Sequence, residues 1–70
     1  MRISYDAEVD ALSIIFRDTT VTTKDLAEGI AADYDRDGRL AGIEILDVAR
    51  RFGDESTLDQ LVVEGLKLAG

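Results

Sequence analysis

The chain has 70 residues with no cysteine and no histidine, and fifteen acidic against eight basic residues give a net charge of −7. A chain of this length forms one domain with a marginal core that is expected to need a second subunit or a metal, and the lack of cysteine excludes disulfides, thiol catalysis and thiolate metal sites. The negative field opposes nucleic-acid binding and favours a basic protein partner.

The amino terminus, Met1-Arg2-Ile3, does not begin the long apolar run of a signal peptide. The chain also lacks any stretch of about 18 apolar residues, so no membrane span is expected. We therefore expect one cytoplasmic domain over residues 1–70 that binds neither membrane nor nucleic acid.

Two short segments near the amino terminus alternate apolar and polar residues. Residues 2–6 and 11–16 each place their apolar side chains on one face: Ile3, Tyr5, Leu12, Ile14 and Phe16. This period of two predicts strands with one buried face. The short, half-acidic segment 7–10 between them predicts the loop of a first β-hairpin.

The segment from Arg17 to Glu28 leaves two interpretations open. It is polar and threonine-rich, and threonine favours extended backbone, so residues 21–23 are compatible with a short strand. Residues 25–28 are compatible with the first turn of a helix. Gly29 then interrupts the chain.

A second hairpin is predicted around Asp35-Arg36-Asp37-Gly38. Asp35 starts a type I turn, and Gly38 takes the left-handed conformation that a three-residue loop with a bulge requires. Strands are expected on both sides, over residues 30–34 and 39–46. The facing pairs in this register are Tyr34 with Leu40, Ala32 with Gly42, and Ala31 with Ile43.

The same region fits the template of a calcium-binding loop from Asp33 to Glu44. Its side-chain ligands would be Asp33, Asp35, Asp37 and Glu44, with the carbonyl of Arg39 as a fifth. The residues before the loop oppose this interpretation, because Glu28 and Gly29 stand where an incoming helix needs apolar residues. The hairpin is preferred, and calcium binding through an EF-hand-like loop is the alternative.

Two helices are predicted after the second hairpin. Asp47 is placed to cap a short helix over residues 48–52, which ends at Gly53. Ser56 is placed to cap a longer amphipathic helix that packs on its own sheet or on a second subunit. The apolar stripe of this helix consists of Leu58, Leu61, Val62, Leu66 and Ala69.

Several separated blocks of the chain form one ordered pattern: Ile3-Ser4-Tyr5-Asp6, Asp10-Ala11-Leu12-Ser13-Ile14, Gly29-Ile30, Asp33-Tyr34-Asp35, Asp37-Gly38 and Gly42-Ile43-Glu44-Ile45-Leu46-Asp47-Val48-Ala49. This pattern resembles a small prokaryotic family of unknown function, DUF2283. The resemblance covers residues 1–52 and implies a compact β-meander followed by a helix, with Asp37-Gly38 in a hairpin turn. It implies no activity, cofactor or catalytic residue, and it points to small toxin-like proteins encoded nearby. Residues 53–70 lie outside the shared pattern.

Together these features predict an α+β domain. Two consecutive β-hairpins form an antiparallel sheet (a β-meander), followed by a short helix and a C-terminal amphipathic helix packed on one face. Catalysis is not expected, because histidine and cysteine are absent and the serines have no evident base. We expect a non-catalytic protein-interaction module without a cofactor, which forms a homo-oligomer and binds a basic partner such as a small toxin-like protein.

Overall fold

The computed structural model describes residues 1–65. These residues form five β-strands, one short α-helix and one short 3-10 helix. The strands are β1 (Arg2–Asp6), β2 (Ala11–Ile15), β3 (Thr22–Ala27), β4 (Ile30–Tyr34) and β5 (Leu40–Ile45). They are followed by α1 (Val48–Phe52) and by a 3-10 helix (Glu55–Asp59). Within residues 1–65, no helix is long and apolar enough to cross a membrane.

The five strands form one antiparallel sheet in the order β1-β2-β5-β4-β3. The last strand, β5, lies at the centre because it pairs with both β2 and β4. Its neighbouring residues Ala41 and Gly42 are both buried. The predicted meander is therefore wrong in its connectivity, and β1 and β3 are the two edges of the sheet.

Strand β3 lies in the segment for which the sequence is compatible with either a strand or a helical turn. All six of its residues are exposed, so it has no buried face that an apolar pattern would mark. It is held by pairing with β4, where Thr22 faces Tyr34 and Lys24 faces Ala32.

One face of the sheet is apolar, because cross-strand partners point to the same side. Two rows of side chains cross this face: Tyr5, Leu12, Ile45 and Ile30 in one, and Ile3, Ile14, Ile43, Ala32 and Lys24 in the other. The buried hydrophobic residues of the described chain are Leu12, Ala32, Ala41 and Val48. Two of the four are alanines, so little apolar volume is fully removed from water.

The hairpin between β4 and β5 turns at Asp35 to Gly38. Gly38 has a φ angle of 80°. The backbone N–H of Asp35 donates to the carbonyl of Arg39 at 2.9 Å, and the N–H of Gly38 donates to the carbonyl of Asp35 at 3.0 Å. These two bonds close the turn and leave extended strands on both sides.

The register of this hairpin differs from the predicted one beyond its first pair. Tyr34 faces Leu40, but Ala32 faces Ile43 and Ala31 faces Glu44. The predicted pairs of Ala32 with Gly42 and of Ala31 with Ile43 are wrong, because a β-bulge leaves Ala41 without an opposite residue on β4. The carbonyl of Ala41 instead accepts the N–H of Phe16 at 2.8 Å.

Helix α1 is capped from the first hairpin and not by the side chain of Asp47. Asp47 occupies the N-cap position with a φ angle of 55° and makes no side-chain cap bond. The carboxylate of Asp10 accepts the N–H of Ala49 at 3.0 Å, and the backbone carbonyl of Asp10 accepts the N–H of Val48 at 3.2 Å. The predicted cap by the side chain of Asp47 is wrong, because the helix N–H group of Ala49 donates instead to Asp10, which is distant in sequence.

The predicted C-terminal amphipathic helix is absent from residues 53–65, so the predicted α+β fold is corrected to a sheet with one short α-helix. Asp54 begins a 3-10 helix by accepting the N–H of Ser56 at 2.8 Å, and the chain is extended again at Gln60. The β-branched pair Val62-Val63 and Gly65, whose φ angle is 75°, disfavour helix here. The predicted stripe positions Leu66 and Ala69 lie outside the described residues.

Candidate functional site

The polar face of the sheet consists of two cross-strand rows. The first row is Ser4, Ser13, Glu44, Ala31 and Asp25, and the second is Arg2, Ile15, Gly42, Asp33 and Thr23, each in the order β1, β2, β5, β4, β3. Three carboxylates gather on the half of the face formed by β5, β4 and β3, while Asp6 lies apart from them on β1. We call Asp25, Asp33 and Glu44 the acidic patch.

Glu44 and Asp33 are close neighbours within the acidic patch. Partial removal of Glu44 from water, followed by the adjacent carboxyl of Asp33, raises the pKa of Glu44 above its ordinary value. When both groups are ionised at neutral pH they repel each other. The pair is therefore a place where an added positive charge would be favourable.

Thr23 and Gly42 position the side chain of Asp33. The hydroxyl of Thr23, directly opposite on β3, donates to Oδ1 of Asp33 at 2.6 Å. On the other side, a Cβ atom at Gly42 would lie 3.1 Å from Oδ2 of Asp33 and 2.9 Å from the carbonyl oxygen of Ile14. The missing side chain at position 42 thus lets Asp33 lie over the central strand.

An open groove of about 460 Å³ adjoins the acidic patch at the end of β3 and β4. Its lining includes Thr23, Asp25, Glu28, Ala31, Glu44 and Leu46. Leu46 is half exposed and supplies an apolar rim, whereas three carboxyl-bearing residues supply negative charge. A groove of this composition suits a long basic side chain, which has an apolar stem and a charged end.

Arg51 forms hydrogen bonds to the backbone of two residues that line the groove. Its Nε donates to the carbonyl of Leu46 at 2.8 Å, and its terminal nitrogen donates to the carbonyl of Glu28. Gly29, with a φ angle of 77°, leaves the space that the guanidinium occupies. Arg51 is thus hydrogen-bonded to backbone carbonyls at the border of the groove.

The acidic patch has no salt bridge of its own within residues 1–65. The two salt bridges of that part of the chain join Arg17 to Asp35 and Arg50 to Asp47. Both are separate from Asp25, Asp33 and Glu44. Among the described residues, the charge of the patch is therefore not balanced by a salt bridge.

The residues of the predicted calcium loop are divided by the hairpin. Asp35 is buried, and its carboxylate accepts the backbone N–H groups of Asp37 and Arg39, both at 2.9 Å, as well as the guanidinium of Arg17. These bonds, with that of Arg39 first, lower the pKa of Asp35. The carbonyl of Arg39 accepts the N–H of Asp35, so it closes the turn.

The structure brings Asp33 and Glu44 together but leaves Asp35 and Asp37 in the turn. Among residues 1–65, no group of three or more carboxylates is arranged to hold a metal ion. Calcium binding remains a prediction. Of its side-chain ligands, the structure brings only Asp33 and Glu44 together.

The sequence does not single out Asp25 or Thr23, and it marks Asp10 only as one of the acidic residues of the first turn. Asp25 comes near Glu44 only because β3 and β5 lie on either side of β4. Ala31 on β4 faces Asp25 on one side and Glu44 on the other. Asp10 has a φ angle of 55°, a conformation that aspartate and asparagine tolerate better than most residues. That preference is a weak signal, and it does not indicate a distant hydrogen-bond partner.

Comparison with known protein families gives a match over most of the chain. The family model described as "Protein of unknown function (DUF2283)" matches residues 2–48, which include all five strands and the first residue of α1. Neither the curated proteins nor the solved structures gave a match.

Proposed function

Since this chain belongs to the DUF2283 family, whose function is unknown, we propose from its own geometry that it is a non-catalytic protein-interaction module. Its acidic patch binds a basic protein, and its subunits associate with one another. The absence of histidine and cysteine supports a role without catalysis, because the usual proton-transfer and thiol groups are missing.

The proposal of a basic partner is supported mainly by the pair of carboxylates formed by Asp33 and Glu44. Thr23 and Gly42 hold Asp33 in place, and the pKa of Glu44 is raised by burial and by Asp33. A lysine or arginine of a partner would stabilise the ionised form of both carboxyls. Binding energy would then come from relief of repulsion in a site that is already formed.

The surrounding surface supports a protein partner more than a small ligand. The groove is open, and its charged groups lie beside the exposed side chain of Leu46. A small basic protein supplies a cationic side chain for the carboxylates and apolar surface for the rim. A basic toxin-like protein has this chemistry.

Calorimetric titration with an oligolysine peptide tests the acidic patch. The double variant D25N/E44Q is expected to weaken binding by about twofold to thirtyfold, because each of the two exposed ion pairs contributes about 0.2–1 kcal/mol. Binding by the unchanged protein should also weaken as salt rises.

The matched control is D18N/D37N, which removes the same amount of charge from two exposed positions outside the acidic patch. It should change affinity much less than D25N/E44Q. Equal losses in the two double variants would mean that only net charge attracts the peptide, and the proposal for the patch would be wrong.

Self-association is supported by the small core and by apolar side chains that remain in water. Exposed large hydrophobic residues include Ile3 at 42%, Leu26 at 56%, Leu61 at 68% and Val62 at 63%. Chains this small commonly gain stability from a second subunit. Sedimentation at micromolar concentration should therefore find more than one subunit, and a monomer at every concentration would contradict this part of the proposal.

A further inference from the structure

The edge strand β1 offers a backbone surface for a second chain. It pairs with β2 on one side and lies at the end of the sheet, so the described residues leave its outer side without a strand. Arg2, Ile3, Ser4 and Asp6 are exposed along it. Unpaired N–H and C=O groups at such an edge can form a ladder with another strand.

The sequence of β1 is complementary to itself when two copies run antiparallel. If Ser4 faces Ser4 of a second copy, Ile3 faces Tyr5 of that copy and Arg2 faces its Asp6. A two-fold axis then repeats both contacts, which gives two opposite-charge pairs and two aromatic–aliphatic pairs. The faces also match, because Ile3 and Tyr5 belong to the apolar face and Arg2 and Asp6 to the polar face.

The other edge, β3, lacks this complementarity. Antiparallel pairing of two β3 strands that keeps apolar and polar faces aligned brings like charges together. The centre of the pairing places Lys24 against Lys24 or Asp25 against Asp25. Charges of this kind are a common means of protecting an edge from self-pairing.

We propose that two copies of this chain associate through their β1 strands, around a two-fold axis at Ser4, to form one continuous antiparallel sheet. This inference rests on the proposed self-association and specifies its surface. The two acidic patches then lie on the same side of the joined sheet, toward its outer ends. A basic partner with two contact points would gain avidity from that arrangement.

Charge exchange at Arg2 and Asp6 tests the register. The single variants R2D and D6R each place like charges opposite one another twice, and each is expected to weaken dimerisation roughly tenfold or more in sedimentation equilibrium. The double variant R2D/D6R restores opposite charges and should recover the dimer. Circular dichroism of each variant checks that the sheet is intact.

A cysteine at the proposed axis gives a second and independent test. Because the chain has no native cysteine, S4C should form a disulfide-linked dimer on mild oxidation. The control K24C, at the middle of the other edge, should remain largely unlinked.

Three results would separate the claims. A monomeric unchanged protein would overturn both self-association and the β1 interface. An oligomer that ignores R2D and D6R and does not cross-link through S4C would leave self-association in place and overturn the β1 interface. Preferential cross-linking of K24C would assign the interface to β3 instead.

Discussion

Asp10 and Ala49 join the first hairpin to the helix across 39 positions of sequence. Both carboxylate oxygens of Asp10 lie close to the N–H of Ala49, at 3.2 and 3.0 Å. One of these oxygens also accepts the hydroxyl of Tyr5 at 2.6 Å. Because α1 has only five residues, it depends on contacts of this kind and not on its own propensity.

Removal of this cap should destabilise the fold. We expect D10A to lower the free energy of unfolding by about 1–3 kcal/mol, because the N–H of Ala49 and the hydroxyl of Tyr5 both lose their hydrogen bond to this carboxylate. The control is D47A, because Asp47 has the same φ angle of 55° but makes no side-chain cap bond. Urea denaturation of both variants measures the difference, and equal losses would show that the backbone conformation alone matters.

A side chain at Gly42 should disturb the centre of the sheet. We expect G42A to cost about 1–3 kcal/mol, because its Cβ would meet the carbonyl of Ile14 at 2.9 Å and the carboxylate of Asp33 at 3.1 Å. The double variant D33A/G42A should lose less than the sum of the two single variants, since one of the two close contacts is removed. Thermal and urea unfolding would reveal strict additivity if Asp33 does not lie over this glycine.

The raised pKa of Glu44 gives a pH dependence with a definite sign. A carboxyl whose pKa is higher in the folded than in the unfolded state binds its proton more tightly when folded, so stability falls as the pH rises between those two values. The variant E44Q should therefore melt at a higher temperature than the unchanged protein at neutral pH. Below the ordinary pKa of glutamate, the difference should disappear.

The exposed residue Glu8 provides the control for this experiment. The variant E8Q removes the same charge from the turn between β1 and β2, outside the acidic patch. If E8Q stabilises the protein as much as E44Q at neutral pH, reduced net charge is the cause and not the contact between Glu44 and Asp33.

Calcium should not stabilise the protein. Asp35 already accepts hydrogen bonds from two backbone N–H groups and from Arg17, and it lies in a hairpin turn with Asp37. We expect no calorimetric heat and no rise in melting temperature at millimolar calcium. A rise that grows with calcium concentration, and that D35N abolishes, would support the EF-hand-like alternative.

The alternation of apolar residues locates β1 and β2, and the turn signal at Asp37-Gly38 locates β4 and β5 on either side of it. The same criterion fails for β3, whose residues are all exposed. Helical spacing of Leu58, Leu61 and Val62 predicts a helix, but spacing alone does not outweigh the low helix propensity of Val62-Val63 and Gly65. The strand order is a tertiary property, since β5 joins two hairpins that are separate in sequence.

The candidate site, like the fold, is only partly predictable from the sequence. The sequence places Asp33 and Glu44 together as ligands of a possible calcium loop. It does not indicate that both lie on one face of the sheet. A shift of one residue in register changes which side chain lies opposite which, and the bulge at Ala41 produces such a shift. The acidic patch could therefore be recognised only from the observed register.

Nuclear magnetic resonance of the labelled protein during titration with oligolysine tests the proposed binding surface most directly. The amide shifts are expected to concentrate at Asp25, Ala31, Asp33 and Glu44, with little change around Asp37, and the side-chain carboxyl of Glu44 should titrate at lower pH when the peptide is bound. Shifts spread evenly over all acidic positions, or centred on the turns, would contradict a binding site on this face of the sheet.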